Sequence, residues 1–148
     1  MNYSLDKRVG EVLGLFISTK SSLTRIPQNF IELDENGVVG DKFYAKDLNR
    51  SILISSIDSY LLAKNQGIDM EYGELGENII INYNPYKLAT GSKIKIGEVI
   101  LEISQHCTLC KSLTKIDTKL PKLLKDDRGV FAKVIKSGSI SSSNIVYL

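Results

Sequence analysis

The sequence predicts a mainly β fold with a few short helices, its strands mostly antiparallel and curled into a barrel-like sheet. Three observations carry this. Short apolar, β-branched runs recur along the chain with polar turns between them. Turn signals such as Asn36-Gly37 and Gly97-Glu98 join neighbouring runs over a few residues, which favours antiparallel pairing. Few segments place apolar residues at helical spacing. Closing such a sheet hides the edges that a flat one exposes.

The elements follow in order. Val9 to Ile17 reads as a buried strand ending in Ser18-Thr19-Lys20-Ser21-Ser22. Phe30 to Leu33 and Val38-Val39 flank Asp34-Glu35-Asn36-Gly37 as a hairpin. Ser51 to Ser55 is the next strand. Ser55 and Asp58 then have capping-box spacing, and Ile57, Tyr60, Leu61 and Lys64 mark a helix that Gly67 stops. Asn78 to Tyr83 is a strand, and Lys93 to Ser104 a second hairpin about Gly97-Glu98. Leu113, Ile116, Leu120, Leu123 and Leu124 fit one face of a helix, which Pro121 either breaks or reopens. Val130 to Ile135 and Ile140 to Leu148 close the sheet on either side of Ser137-Gly138.

With 148 residues and no repeat or linker, the chain is expected to form one domain over residues 1–148. Its net charge of +2 excludes neither an anionic ligand nor a nucleic acid. An aromatic content of 7% and the lack of a basic–aromatic stripe count against nucleic acid. No stretch is apolar for long enough to span a membrane, and Met1 to Arg8 lacks the apolar core of a secretory signal. The expected location is cytoplasmic, where two close cysteines point to redox, metal or thiol chemistry instead of a disulfide framework.

That pair is Cys107-Thr108-Leu109-Cys110, placed directly after a strand. As a thiolate, either cysteine is a ligand for a soft metal or a carrier of persulfide sulfur. Two small buried hydrophobes are an equally weighted reading. His106, Cys107 and Cys110 supply only three of the four ligands a structural zinc site needs, so no zinc is expected. A thioredoxin-like role lacks its βαβ setting. Gly37-Val38-Val39-Gly40-Asp41-Lys42 and Gly73-Glu74-Leu75-Gly76-Glu77-Asn78 are turn-forming, ligand-approaching stretches. Glu77 and Asn78 enter an apolar strand and need hydrogen-bond partners in the fold or in a ligand. Arg50 and Arg128 are candidate forks for a phosphate or carboxylate, with a surface ion pair as the competing role, above all for Arg128 beside Asp126-Asp127.

Taken in order, these pieces resemble the MOSC domain family, named for the C-terminal domain of molybdenum cofactor sulfurase. The resemblance runs from about Gly37 through Gly138. It rests on Gly37 to Asp41, Arg50 with its strand, Gly73 to Asn78, Leu88 with Gly91, Ile96-Gly97 and the cysteine motif. Cys110, followed by Lys111-Ser112-Leu113, matches the family's near-universal cysteine better than Cys107 does. Many members carry His shortly after the Gly-Asp pair, where this chain has Phe43.

The resemblance implies a barrel-like fold that binds the molybdenum cofactor (molybdopterin) or handles sulfur for it. The leading expectation is a cofactor-binding domain with Cys110 as metal ligand. Lys42, Arg50 and Arg128 would then hold the pterin phosphate, with Asn78 hydrogen-bonding in the pocket. Reduction of N-hydroxylated compounds would need an external electron donor. The alternative is a sulfur carrier fed by a sulfur donor protein, with a persulfide on Cys110 and Cys107 as resolving thiol. A third reading is a non-catalytic binding barrel with packed cysteines.

Overall fold

A computed structural model describes residues 5–22, 25–108 and 113–148. Seven strands close on themselves: β1 (Arg8–Ile17), β11 (Ile145–Tyr147), β7 (Lys93–Ile96), β8 (Val99–His106), β9 (Val130–Lys136), β5 (Ile52–Ser56) and β6 (Ile79–Ile81), with β6 returning to β1. A short strand β2 (Ile26–Gln28) extends β1 outside the ring. A second, small sheet orders β10 (Gly138–Ser141), β3 (Phe30–Asp34) and β4 (Gly37–Val38). Among the described pairings only β5 and β6 run parallel. Helix α1 (Ile57–Asn65) makes that crossover, because a parallel neighbour cannot be reached by a tight turn.

The barrel interior follows from the period of two. Along β8, Val99, Leu101 and Ile103 are buried while the residues between them are partly exposed. Ile52, Ile54, Ile79, Ile81, Ile94 and Ile96 complete the filling, each fully buried. Ile80 points to the other side of β6 and packs with Tyr60, Ala63, Leu75, Leu113, Leu120 and Leu124 under α1. Burying one such side chain stabilises the fold by about 1.5–3 kcal/mol. β6 is thus apolar on both faces, and the sequence shows it as an unbroken apolar run, as it does Ile52 to Ile54 at the start of β5.

Several expected elements differ in detail. The helix cap is Ser56, whose Oγ accepts from the Asp58 amide at 3.1 Å, while Ser55 Oγ donates to Glu77. The strand expected over Ile140 to Leu148 is two strands in different sheets. A turn carrying Ser143 at φ 70° separates them. The helix expected over Leu113 to Leu124 is reduced to α2 (Leu120–Leu123), with Pro121 in its first turn. Asp117 Oδ1 accepts from the Lys119 amide at 2.8 Å, a local turn that competes with helix propagation. Leu113, Leu120 and Leu124 are buried nonetheless, so the apolar spacing reported the burial correctly and the helix length incorrectly.

Candidate functional site

One end of the barrel opens into a cleft of about 940 Å³. Its walls come from the end of β1, the segment after β4, the short 3₁₀ turn Leu48–Arg50, the loop before β6, and the segments flanking β8 and β9. Five of the six site residues expected from sequence line it: Lys42, Arg50, Asn78, Cys107 and Arg128. The sixth, Cys110, lies outside the described residues.

Asp41 organises this end of the barrel. Its side chain is 1% exposed and sits where four segments meet. Oδ1 accepts from the Ser18 amide at 2.7 Å, from Arg25 Nη1 at 3.0 Å and from Asn78 Nδ2 at 3.4 Å. Oδ2 accepts from the Phe43 amide at 3.1 Å. Burial lowers the pKa of the Arg25 guanidinium, and the charges of Asp41 and Glu77 oppose that shift.

Asn78 binds the same joint from the other side. Its Oδ1 accepts from the Leu53 amide at 3.1 Å, and Nδ2 also donates to the Phe16 carbonyl at 3.2 Å. The amide therefore ties β1 to β5 just ahead of β6. It lines the cleft as a residue that shapes it, with its donors already engaged by the fold.

The guanidiniums differ in setting. Arg128 is 6% exposed, and its Nη1 donates to the Leu75 carbonyl at 2.6 Å. That burial removes the surface-ion-pair reading. The Arg50 guanidinium lies over the Phe131 ring at 4.9 Å. Phe131 also packs with Leu53 and Cys107, so one ring meets both Arg50 and the cluster that holds the thiol. Cys107 is 4% exposed, and its amide donates to the Gly129 carbonyl at 3.0 Å, joining the cysteine segment to the stretch that carries Arg128. Lys42 is exposed, with Nζ 5.1 Å from the centroid of the Phe43 ring.

A model of the MOSC domain matches residues 40–147. The chain belongs to the MOSC domain family. That family is associated with molybdenum-cofactor binding. The fold is similar to that of YuaD from Bacillus subtilis, with a TM-score of 0.83 at 18% identity, covering 95% of this chain and 96% of that one. It is also similar to YiiM from Geobacillus stearothermophilus, with a TM-score of 0.67 at 16% identity over 96% of this chain and 74% of that one. YiiM from Escherichia coli gives 0.69 at 19% identity, over 93% and 69%. At these identities the likeness is one of fold. No curated protein matches in sequence.

The MOSC motifs acquire physical roles here. The Gly40-Asp41 pair delivers the Asp41 hub, and Gly76-Glu77-Asn78 delivers its partner Asn78. Glu77 is fully buried, and its Oε2 accepts from Ser55 Oγ at 2.8 Å and Tyr60 Oη at 2.5 Å. Its Oε1 has no partner among the described residues. Phe43 stands on the cleft wall at 45% exposure, between the cations of Lys42 and Arg25.

Sequence reasoning missed Arg25, Lys46, Lys115 and Tyr72, which also line the cleft. No motif marked them, because each sits in a loop whose path depends on the barrel. Around the mouth, exposed Lys42, Lys46 and Lys115 are balanced by exposed Asp47, Glu71 and Glu74. Behind the mouth lie two further guanidiniums, the half-buried Arg50 and the buried Arg128. Among the described residues no group of three or more His, Cys, Asp or Glu could hold a bare metal ion. No described helix is long and apolar enough to cross a membrane.

Proposed function

We propose that this cleft binds the molybdenum cofactor, with Cys110 as the thiolate ligand of its metal. The observation that carries the reading is the convergence of Lys42, Arg50, Asn78, Cys107 and Arg128 on one cleft from positions far apart in sequence. The residues present suit the group. The cleft volume lies at the upper end of the range for small-molecule and cofactor sites. Phe16, Leu53, Tyr72 and Ile116 offer apolar surface for a planar ring system. Arg50 and Arg128 offer planar forks suited to a phosphate in a water-poor interior.

In this reading the Arg128 guanidinium, held by the Leu75 carbonyl, faces the phosphate, and Arg50 supports it from the Phe131 ring. Lys42 neutralises charge at the mouth. Asn78 and Asp41 keep the walls in register. Cys110 supplies an anionic sulfur, while Cys107 stays packed beside Phe131. When bound, the cofactor would supply the two-electron centre for reducing an N-hydroxylated compound, with electrons from an external donor.

The position of Cys107 on the same cleft favours a second reading. A sulfur donor protein would load Cys110 with a persulfide. The Cys107 thiolate would then attack the inner sulfur, leaving a Cys107–Cys110 disulfide and releasing hydrosulfide. The two readings separate on protein purified without reductant from cells that make the cofactor. The first predicts molybdenum and pterin together, near one per chain, both lost in Cys110→Ser. The second predicts little metal and an added, reductant-labile sulfur on Cys110. Two unmodified thiols and no metal, beside a fully loaded control molybdoenzyme, would count against both.

A further inference from the structure

We infer that Tyr60, braced by Glu77, is a positioning residue for the cleft: it fixes the loop 73–76 whose Leu75 carbonyl aims Arg128.

The links are short. Tyr60 lies on α1, 6% exposed, and does not line the cleft. Its hydroxyl donates to Glu77 Oε2 at 2.5 Å and accepts from the amides of Gly73 at 3.1 Å and Leu75 at 3.4 Å. One oxygen thus gathers two amides of the loop, and the carboxylate fixes which way its proton points. Burial raises the Tyr60 pKa first and the Glu77 charge raises it further, so the phenol remains the donor. Leu75 then accepts from Arg128.

The residue before Tyr60 grips the other side of Arg128. Ser59 Oγ donates to the Asp127 carbonyl. Tyr86 Oη accepts from the Ser56 amide at 2.7 Å, lies 2.6 Å from Ser59 Oγ, and so donates to it. Two consecutive residues of one helix therefore hold the backbone before Arg128 and the loop that receives its side chain. What this means for ligand binding rests on the proposed use of Arg128, whereas the positional claim does not.

The test is ligand-free, on the full chain labelled for NMR. Tyr60→Phe keeps the ring and its edge-on contact with Tyr72, 5.2 Å between centroids, and removes only the hydroxyl. Amide exchange at Gly73 and Leu75 should rise roughly five- to tenfold, the scale of one net hydrogen bond. The Arg128 side-chain N–H signals should shift and lose protection, while amides of β7 and β8 keep theirs. Should Tyr60→Phe fail to fold, Glu77→Gln carries the test, with the same changes at smaller size. Unchanged Gly73, Leu75 and Arg128 signals would overturn the inference. So would a uniform acceleration that includes β7 and β8, since that reports global destabilisation. Absence of bound pterin would instead sink the proposed function and leave this result standing.

Discussion

Asp41 shows how one side chain can decide the geometry of a cleft. A carboxylate is an acceptor only, with room for several donors. Three amide or guanidinium donors from distant positions meet on its Oδ1, and the nearby Phe43 amide meets Oδ2. Replacing it with alanine strips those acceptors and leaves the largely buried Arg25 charge without its partner. Asp41→Ala should therefore cost about 3 kcal/mol in urea unfolding. Asp41→Asn keeps an oxygen for the Ser18 amide and should cost less. A loss within about 0.5 kcal/mol for alanine, as for ordinary surface positions, would show that the hub is not a hub. The sequence flagged Asp41 only through the Gly-Asp pair. Apart from the Phe43 amide, its partners lie 16 to 37 positions away, and no local pattern reports such a meeting. Glu77 and Asn78 were legible as polar residues in need of partners. Tyr60 as that partner was not, because its helical spacing alone reads as core packing.

At the scale of elements, the loop before β6 carries the most information. Gly73 has φ +96°, where an L side chain is strained, and a Cβ there would meet the Phe16 ring at 3.0 Å. Gly73→Ala should cost at least about 1 kcal/mol, from the left-handed backbone alone. It should also raise exchange at the Leu75 amide, because the loop must shift away from Phe16. Thermal unfolding checks the first effect and amide exchange the second, and an unchanged loop would contradict the close packing assigned here. Strands were legible wherever apolar residues recur, as in β1, β5, β7 and β8. β2 was not, since Ile26-Pro27-Gln28 has neither length nor alternation, and among the described pairings only β1 meets it. Pro27 is tolerated there because an edge strand need not donate on both sides. The break between β10 and β11 escaped notice for a related reason. Ser141 to Asn144 is polar but short, and only barrel closure onto β1 and β7 requires the chain to change sheets there.

For the whole molecule, the buried phenols make stability depend on alkaline pH. Burial is the first cause that holds both Tyr60 and Tyr86 well above the ordinary value of 10.0. In the unfolded chain both would lose protons near pH 10, while in the folded chain they keep them. Their contribution is therefore full below pH 10 and is lost as pH rises beyond it. Each should subtract up to about 1.4 kcal/mol per pH unit above that point. Unfolding followed from pH 9 to 11 should steepen accordingly, and Tyr60→Phe should remove about half of the slope. An unchanged slope in that variant would contradict the burial of its proton. The barrel also explains why the fold class was readable from the sequence while the cleft was only partly so. Alternation and turns are local, whereas the convergence of Arg25, Lys42, Arg50 and Arg128 exists only once seven strands have closed. The measurement that tests the central claim most directly is an anomalous difference map at the molybdenum edge, from crystals of protein purified with its cofactor. The account predicts one strong peak in the cleft beside the cysteine segment, with the pterin phosphate against Arg50 and Arg128. A cleft without molybdenum in crystals of metal-loaded protein, or a peak held elsewhere on the surface, would contradict it.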